Sequence, residues 1–414
     1  MNLDQSKLIF IDQAIVSGSN FLISILVLRF IGIENFGIFS FIWLLLLFIN
    51  SVQLAYIISP LLTNAPKQNT SEINLFYGNS FIQQFFFTIL TFALSFLFLE
   101  YLGNLIKSFE LKKFSLSFSL LVLFSQFYQF LRRICFSKKL FLKATISDFI
   151  LYTFIISSLI YLNFVNELDL NIILWIFVIF FSMGTLFNLP LILSFKYNLK
   201  KTPTFIRENW IIGKWLLFTS VLQWFSGNLW VINTGIILGP YILGIVRACQ
   251  TILNTANIIF QSFENIMPAI TSKKLVSQGK RSMDKFLNRI LIKGFITTSL
   301  LSIIIILFAK PILYAFYGNE TANYSKILVL MSFLIALHSL QYPPSYGLRT
   351  LGKTRPIFFS YLITSIISIL ISIEVINYFK LYGLIFGLYF SQIIISSYLY
   401  ISYKRYLKNQ KELN

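Results

Sequence analysis

The chain has 414 residues, 57% of them hydrophobic and only 12% charged, with a formal net charge of +19. A water-soluble fold carries about a quarter of its residues as Asp, Glu, Lys and Arg, so the composition excludes one. A nucleic-acid-binding role is set aside by where the positive charge falls, which follows the loops of a membrane protein.

Stretches near the roughly 20 apolar residues needed to cross about 30 Å of hydrocarbon recur at 9–31, 36–62, 75–99, 114–137, 144–164, 170–195, 212–236, 241–270, 286–309, 325–348, 357–377 and 382–403. The expected fold is all-α: a polytopic integral membrane protein of about 12 transmembrane helices in two six-helix lobes. The first stretch is of full length and lacks a small-residue cleavage site, so no cleavable leader is expected. With the N-terminus inside, Lys107, Lys112, Lys113, Lys310, Lys326 and Lys380 face outward and Arg29 and Arg247 lie within spans. The other 26 of the 34 Lys and Arg sit in or beside inner segments. That bias predicts an N-in/C-in orientation, and the basic loops Lys196–Arg207 and Lys273–Arg289 should meet anionic headgroups.

Span one carries Asp12 near its inner end, then Gln13, Ser17, Asn20 and Ser24 at helical spacing, and Arg29 near its outer end. The serines suit helix packing. Arg29 either snorkels to the interface or faces a cleft. Ile31-Gly32 precedes Gly37 by the interval at which Leu238-Gly239 precedes Gly244, and Pro60 and Pro268 follow at 23 and 24 residues. Span four ends in Gln126-Gln129-Arg133 and span ten in Gln341-Ser345-Arg349, each with a further cation six residues on, Lys139 or Arg355. These echoes predict a parallel repeat, 1–200 holding spans one to six and 201–414 spans seven to twelve. In transporters built from repeats the cargo site lies at the repeat interface. Arg133 and Arg349 then form a symmetric pair at the inner mouth, suited to a phosphate or serving as inner-face anchors.

Asp148 lies near the inner end of span five and, with Asp12, is a candidate for ion coupling or a headgroup-level carboxylate. Span seven presents Thr219, Gln223, Ser226, Trp230 and Asn233 on one face, with Trp224 and Trp230 as possible platforms for sugar rings. Span eight holds the densest polar stripe: Arg247, Gln250, Asn254, Asn257, Gln261 and Glu264, three and four residues apart. A charge at a helix centre costs about 2.5 to 3.5 kcal/mol on insertion scales. Such a face is expected to meet water or a polar cargo, the alternative being hydrogen bonds between helices. Arg247 would lie about 10 Å inside the membrane from Pro240, at 1.5 Å per residue, as a cation for an anionic cargo, with Glu264 a further ion-coupling candidate. His338, the lone histidine, is either a packing residue or a proton site, and Glu374 a solvated carboxylate. Cys135 and Cys249 have no metal spacing and read as apolar packing.

No phosphate-binding GxxxxGK[ST] loop, nucleophile elbow or metal-ligand cluster occurs in the sequence, so no catalytic residue, metal or cofactor is expected and the chain reads as a non-enzyme. Any energy must come from an ion gradient, the cargo's own gradient or a partner.

The run Asp12-Gln13-Ala14 through Leu28-Arg29-Phe30-Ile31-Gly32-Ile33-Glu34-Asn35-Phe36-Gly37 resembles the opening of Wzx-type polysaccharide flippases, within the multidrug/oligosaccharidyl-lipid/polysaccharide exporter superfamily. Gly239 to Gln250, with Arg247-Ala248-Cys249-Gln250, resembles the family's start of span eight, and Phe263-Glu264-Asn265 with Pro268 fits the same pattern. The resemblance implies a V-shaped pair of lobes with a central cationic cavity, in the bacterial inner membrane. It implies that undecaprenyl-pyrophosphate-linked oligosaccharide is flipped from inner to outer leaflet by alternating access, coupled to protons or sodium ions, for O-antigen and lipopolysaccharide or another surface polymer, beside polysaccharide polymerase machinery. By position, Arg247 would face the pyrophosphate; Arg29 matches a common arginine of the family's first span. Three other classes stay open: an organic-cation antiporter of the same superfamily, which should place carboxylates where Arg247 stands; a membrane-embedded polymerase or acyltransferase, which normally shows a large outer loop or paired histidines; and an accessory membrane protein without transport.

Overall fold

The computed structural model describes residues 3–69, 72–200 and 202–409; the side chains of 3–6, 212, 256–266, 268, 269 and 409 lie outside that description. Among the described residues the chain is all-helical, with twelve long segments. In order these are α1 (3–31), α2 (33–64), α3 (Ile73–Leu105), α4 (Ser115–Ser137), α5 (Phe141–Phe164), α6 (Leu170–Asn188), α7 (Thr202–Leu238), α8 (240–278), α9 (280–307), α10 (Ser325–Thr350), α11 (355–379) and α12 (381–409). Two short helices, Ala309–Tyr317 and Asn319–Ala322, join α9 to α10. The long segments meet the apolar stretches of the sequence one for one. Their outward side chains are apolar, with Phe86 65% and Leu370 70% exposed. An exterior of this kind fits hydrocarbon rather than water, and the protein is a multi-pass integral membrane protein.

The breaks between segments have a backbone cause. Gly32, between α1 and α2, takes φ 81°, ψ 170°, and Gly239, between α7 and α8, takes φ 91°, ψ 167°. This region of conformational space is open essentially to glycine alone. The two glycines that the sequence pairs by spacing therefore perform the same turn. α6 begins with a side-chain cap: Asp169 accepts the backbone N–H of Ile172 at 2.7 Å, leaving one fewer unsatisfied donor at the helix start.

The chain forms two compact units, Met1–Val221 and Leu222–Asn414. The boundary falls within α7, because the first half of that helix packs with the first unit. Trp210 meets the ring of Tyr56 edge-on at 5.7 Å, and the Ser220 hydroxyl donates to the Ser51 carbonyl at 3.3 Å.

Each unit has a polar interior held by hydrogen bonds. In the first, Gln53 Nε2 donates to Gln84 Oε1 (3.0 Å) and to the Gln126 carbonyl (2.7 Å). Gln84 Nε2 donates to Thr88 Oγ1 (2.7 Å), and Gln126 Nε2 to Asn50 Oδ1 (2.8 Å). This lattice ties α2 to α3 and α4 just before a π-helical turn at Leu54–Ile58. In the second unit Trp230 is wholly buried, its Nε1 donating to Ser368 (2.9 Å) and Ser391 (3.2 Å), and its ring lies against Gly387 so closely that a Cβ there would overlap the indole. Trp230 is therefore core, which corrects its reading as a sugar platform: an indole whose N–H and faces are used inside the helix bundle has none left for a ligand.

Candidate functional site

In the first unit three helices bring distant charges together. Asp12 of α1 and Asp148 of α5 both reach Arg132 of α4. Arg132 Nε donates to Asp148 Oδ2 at 2.5 Å, and its Nη2 donates to Asp12 Oδ2. Tyr128, one turn earlier on α4, donates its hydroxyl to Asp148 Oδ1. A second layer follows: Asn188 Nδ2 donates to Ser147 Oγ at 3.0 Å, and Ser147 Oγ lies 3.3 Å from the Tyr128 oxygen. All three charged residues are buried, at 2% exposure for Asp12, 7% for Arg132 and 1% for Asp148.

The two carboxylates carry a formal charge of −2 against +1 on Arg132, so the ionised cluster is net negative. Both oxygens of Asp148 are engaged. Asp12 differs, since its Oδ1 is buried with no hydrogen-bond partner among the described residues. An unpaired carboxylate oxygen inside a helix bundle is costly and is relieved by a proton or a cation. Sequence reasoning singled out both aspartates but passed over Arg132 as the residue that joins them. The signal was present: Tyr128 and Arg132 are four apart and share a face, turned away from that of Gln129 and Arg133.

Arg133 itself is half-buried, its guanidinium 5.9 Å from the centroid of the Phe136 ring and its Nε without a hydrogen-bond partner among the described residues. Arg29 is exposed, three residues before the Gly32 turn.

In the second unit, α8 holds Arg247 half-buried at its third turn. Nη1 donates to Gln250 Oε1 at 2.9 Å, while Nε is buried without a hydrogen-bond partner among the described residues. Among the described residues no carboxylate lies within ion-pair distance of Arg247. Asn254 is exposed further along the helix. Asn257, Gln261 and Glu264 continue the helical backbone, but their side chains lie outside the described residues. Gln223 of α7 is exposed, whereas Asn233 donates to Ser372 Oγ of α11 at 2.7 Å, a bond within the unit. Arg349 is exposed in the last turn of α10, and His338 is half-buried in that helix. Cys135 and Cys249 are both buried.

Against known proteins, the MatE family model matches residues 216–373, and no curated protein sequence matches the chain. Solved structures match over nearly all of it. A multidrug resistance MATE family transporter of the MOP superfamily, inward-facing, superposes with a TM-score of 0.77 at 10% identity, covering 96% of each chain. The lipid II flippase MurJ, inward closed, superposes with a TM-score of 0.73 at 17% identity, over 97% of this chain and 88% of MurJ. A MOP superfamily transporter from Pyrococcus furiosus, described as having a binding pocket of reverse polarity, gives 0.63 at 12%, over 97% and 95%. The fold is that of the MATE-type polytopic membrane transporters.

Proposed function

We propose that the protein is a flippase for undecaprenyl-pyrophosphate-linked oligosaccharide repeat units, moving them from the inner to the outer leaflet of the bacterial cytoplasmic membrane by alternating access, with its N- and C-termini inside. The observation that carries this reading is Arg247: a guanidinium within the apolar part of α8, with an unpartnered Nε and no carboxylate beside it among the described residues. A pyrophosphate cannot cross hydrocarbon unaided, and a guanidinium fork offers it paired donors. Gln250, Asn254, Asn257 and Gln261 continue the stripe with groups that replace water around sugar hydroxyls, and Gln223, Asn233, Arg29, Arg133 and Arg349 complete the proposed cargo-contacting set. The superposition on a lipid II flippase supports the capacity of this fold for such a cargo. An organic-cation antiporter would need an anionic counterpart where Arg247 stands.

The proposed driving ion, a proton or sodium ion, enters at the Asp12 cluster. Asp12 is the acceptor, because it alone of the pair keeps an oxygen unengaged; Asp148 positions Arg132 against it, and Glu264 is the second candidate. The product would feed polysaccharide polymerase machinery building O-antigen or a similar surface polymer.

The test is deletion of the gene in its host, with surface polymer and lipid-linked precursors measured after complementation by wild type or Arg247→Ala. Loss of polymer with pyrophosphate-linked oligosaccharide held in the inner leaflet, rescued by wild type alone, is the expected result. Normal polymer and no trapped precursor, in a strain without a second flippase, would transfer the reading to drug export.

A further inference from the structure

The outer face of α5 and α6 carries a groove that the proposed transport path does not use. Ile150, Leu151 and Phe154 line it from α5, and Phe180 and Met183 from α6, around a cavity of about 170 Å³. Phe154 and Phe180 stack with centroids 5.7 Å apart and planes 11° apart. At the opposite end Phe187 completes the wall, and the Lys143 ammonium lies 5.7 Å from the centroid of its ring. Lys143 stands one helical turn before Ser147, which also lines the groove. It pairs with no carboxylate among the described residues, and Lys138 and Lys139 occupy the turn just before α5.

Length decides what such a groove takes. From Lys143 to Phe154 the helix rises about 16 Å, about half of the roughly 30 Å hydrocarbon thickness. The walls themselves, from Ser147 to Phe154, rise about 10 Å, and Lys143 stands one turn beyond them toward the end of the helix, so groove and lysine together span about the depth of a single leaflet. We propose that it binds one acyl chain of an anionic glycerophospholipid, with Lys143 on the lipid phosphate. The apolar walls take the chain, and the lysine supplies the charge that selects the headgroup. Ser147, on the inner wall, is hydrogen-bonded to Asn188 and lies within reach of the Tyr128 hydroxyl. The bound chain thus rests against the same network that positions Asp148, and its occupancy bears on that network rather than on the cargo. The site is independent of the transport reading, and its test uses no transport measurement.

The full-length protein is purified and offered equal amounts of phosphatidylglycerol and phosphatidylethanolamine of matched chains, with undecaprenyl phosphate in a separate arm, and retained lipids are counted by native mass spectrometry. Wild type should keep phosphatidylglycerol preferentially. Lys143→Gln should reduce that preference about fivefold, the value of one basic residue near an anionic surface, without changing retained phosphatidylethanolamine. Met183→Trp, which fills the groove, should reduce retention of both; Ile150→Phe on the opposite wall repeats the test if the tryptophan variant does not fold. Unchanged phosphatidylglycerol retention in folded Lys143→Gln and groove-filled variants would overturn the site. Preferential retention of undecaprenyl phosphate, lost on filling the groove, would overturn the phospholipid assignment.

Discussion

Removing the Arg132 guanidinium tests the charge cluster of the first unit most directly. Arg132→Met keeps much of the side chain's length and apolar volume but removes the guanidinium that both buried carboxylates, Asp12 and Asp148, contact directly. Two charge-assisted hydrogen bonds are lost, at about 1.5–3 kcal/mol each, which agrees with the roughly 3–5 kcal/mol for removing one partner of a buried pair. The assay is thermal unfolding of the detergent-purified protein followed by size-exclusion fluorescence, with an expected fall of about 5 °C at pH 7. Asp12→Asn and Asp148→Asn combined with Arg132→Met should recover most of that loss, since no buried charge remains. A single variant that melts with wild type, or a triple variant no better than the single, would refute the cluster as a buried ion network.

Three further outcomes follow from packing and backbone geometry. Gly387→Ala places a methyl group into the indole of Trp230, which two hydrogen bonds hold in place; a loss of about 1–3 kcal/mol is expected, partly recovered by Trp230→Phe and read by melting temperature. Gly32→Ala and Gly239→Ala force a side chain into conformations reserved for glycine and should each cost about 1–3 kcal/mol. Gly18→Ala, in open space on α1, is the control and should be neutral or slightly stabilising. Gln53→Leu removes donors to Gln84 and to the Gln126 carbonyl, and an expected loss of about 1–3 kcal/mol can be followed by hydrogen exchange at the π-helical turn.

The twelve crossings were legible in the sequence because every helix facing lipid must be apolar over a set length, a constraint each segment meets by itself. The Gly32 and Gly239 turns were legible for a similar reason: a backbone conformation closed to other residues leaves glycine as its mark. The polar stripe of α8 was visible through its helical period, and so was the unusual presence of Arg247 within it. What Asp12 meets could not be read in the same way. Its partner, Arg132, lies 120 residues away, and the two meet only once α1, α4 and α5 are packed together. Trp230 shows the reverse case: its place on a polar face suggested a ligand, but Ser368, Ser391 and Gly387, all distant in the chain, enclose it. Local constraints such as helix length, period and backbone conformation are written in consecutive residues. Whether a buried polar group is satisfied by the protein or left to meet something else is a property of contacts across the fold, and only the tertiary structure decides it.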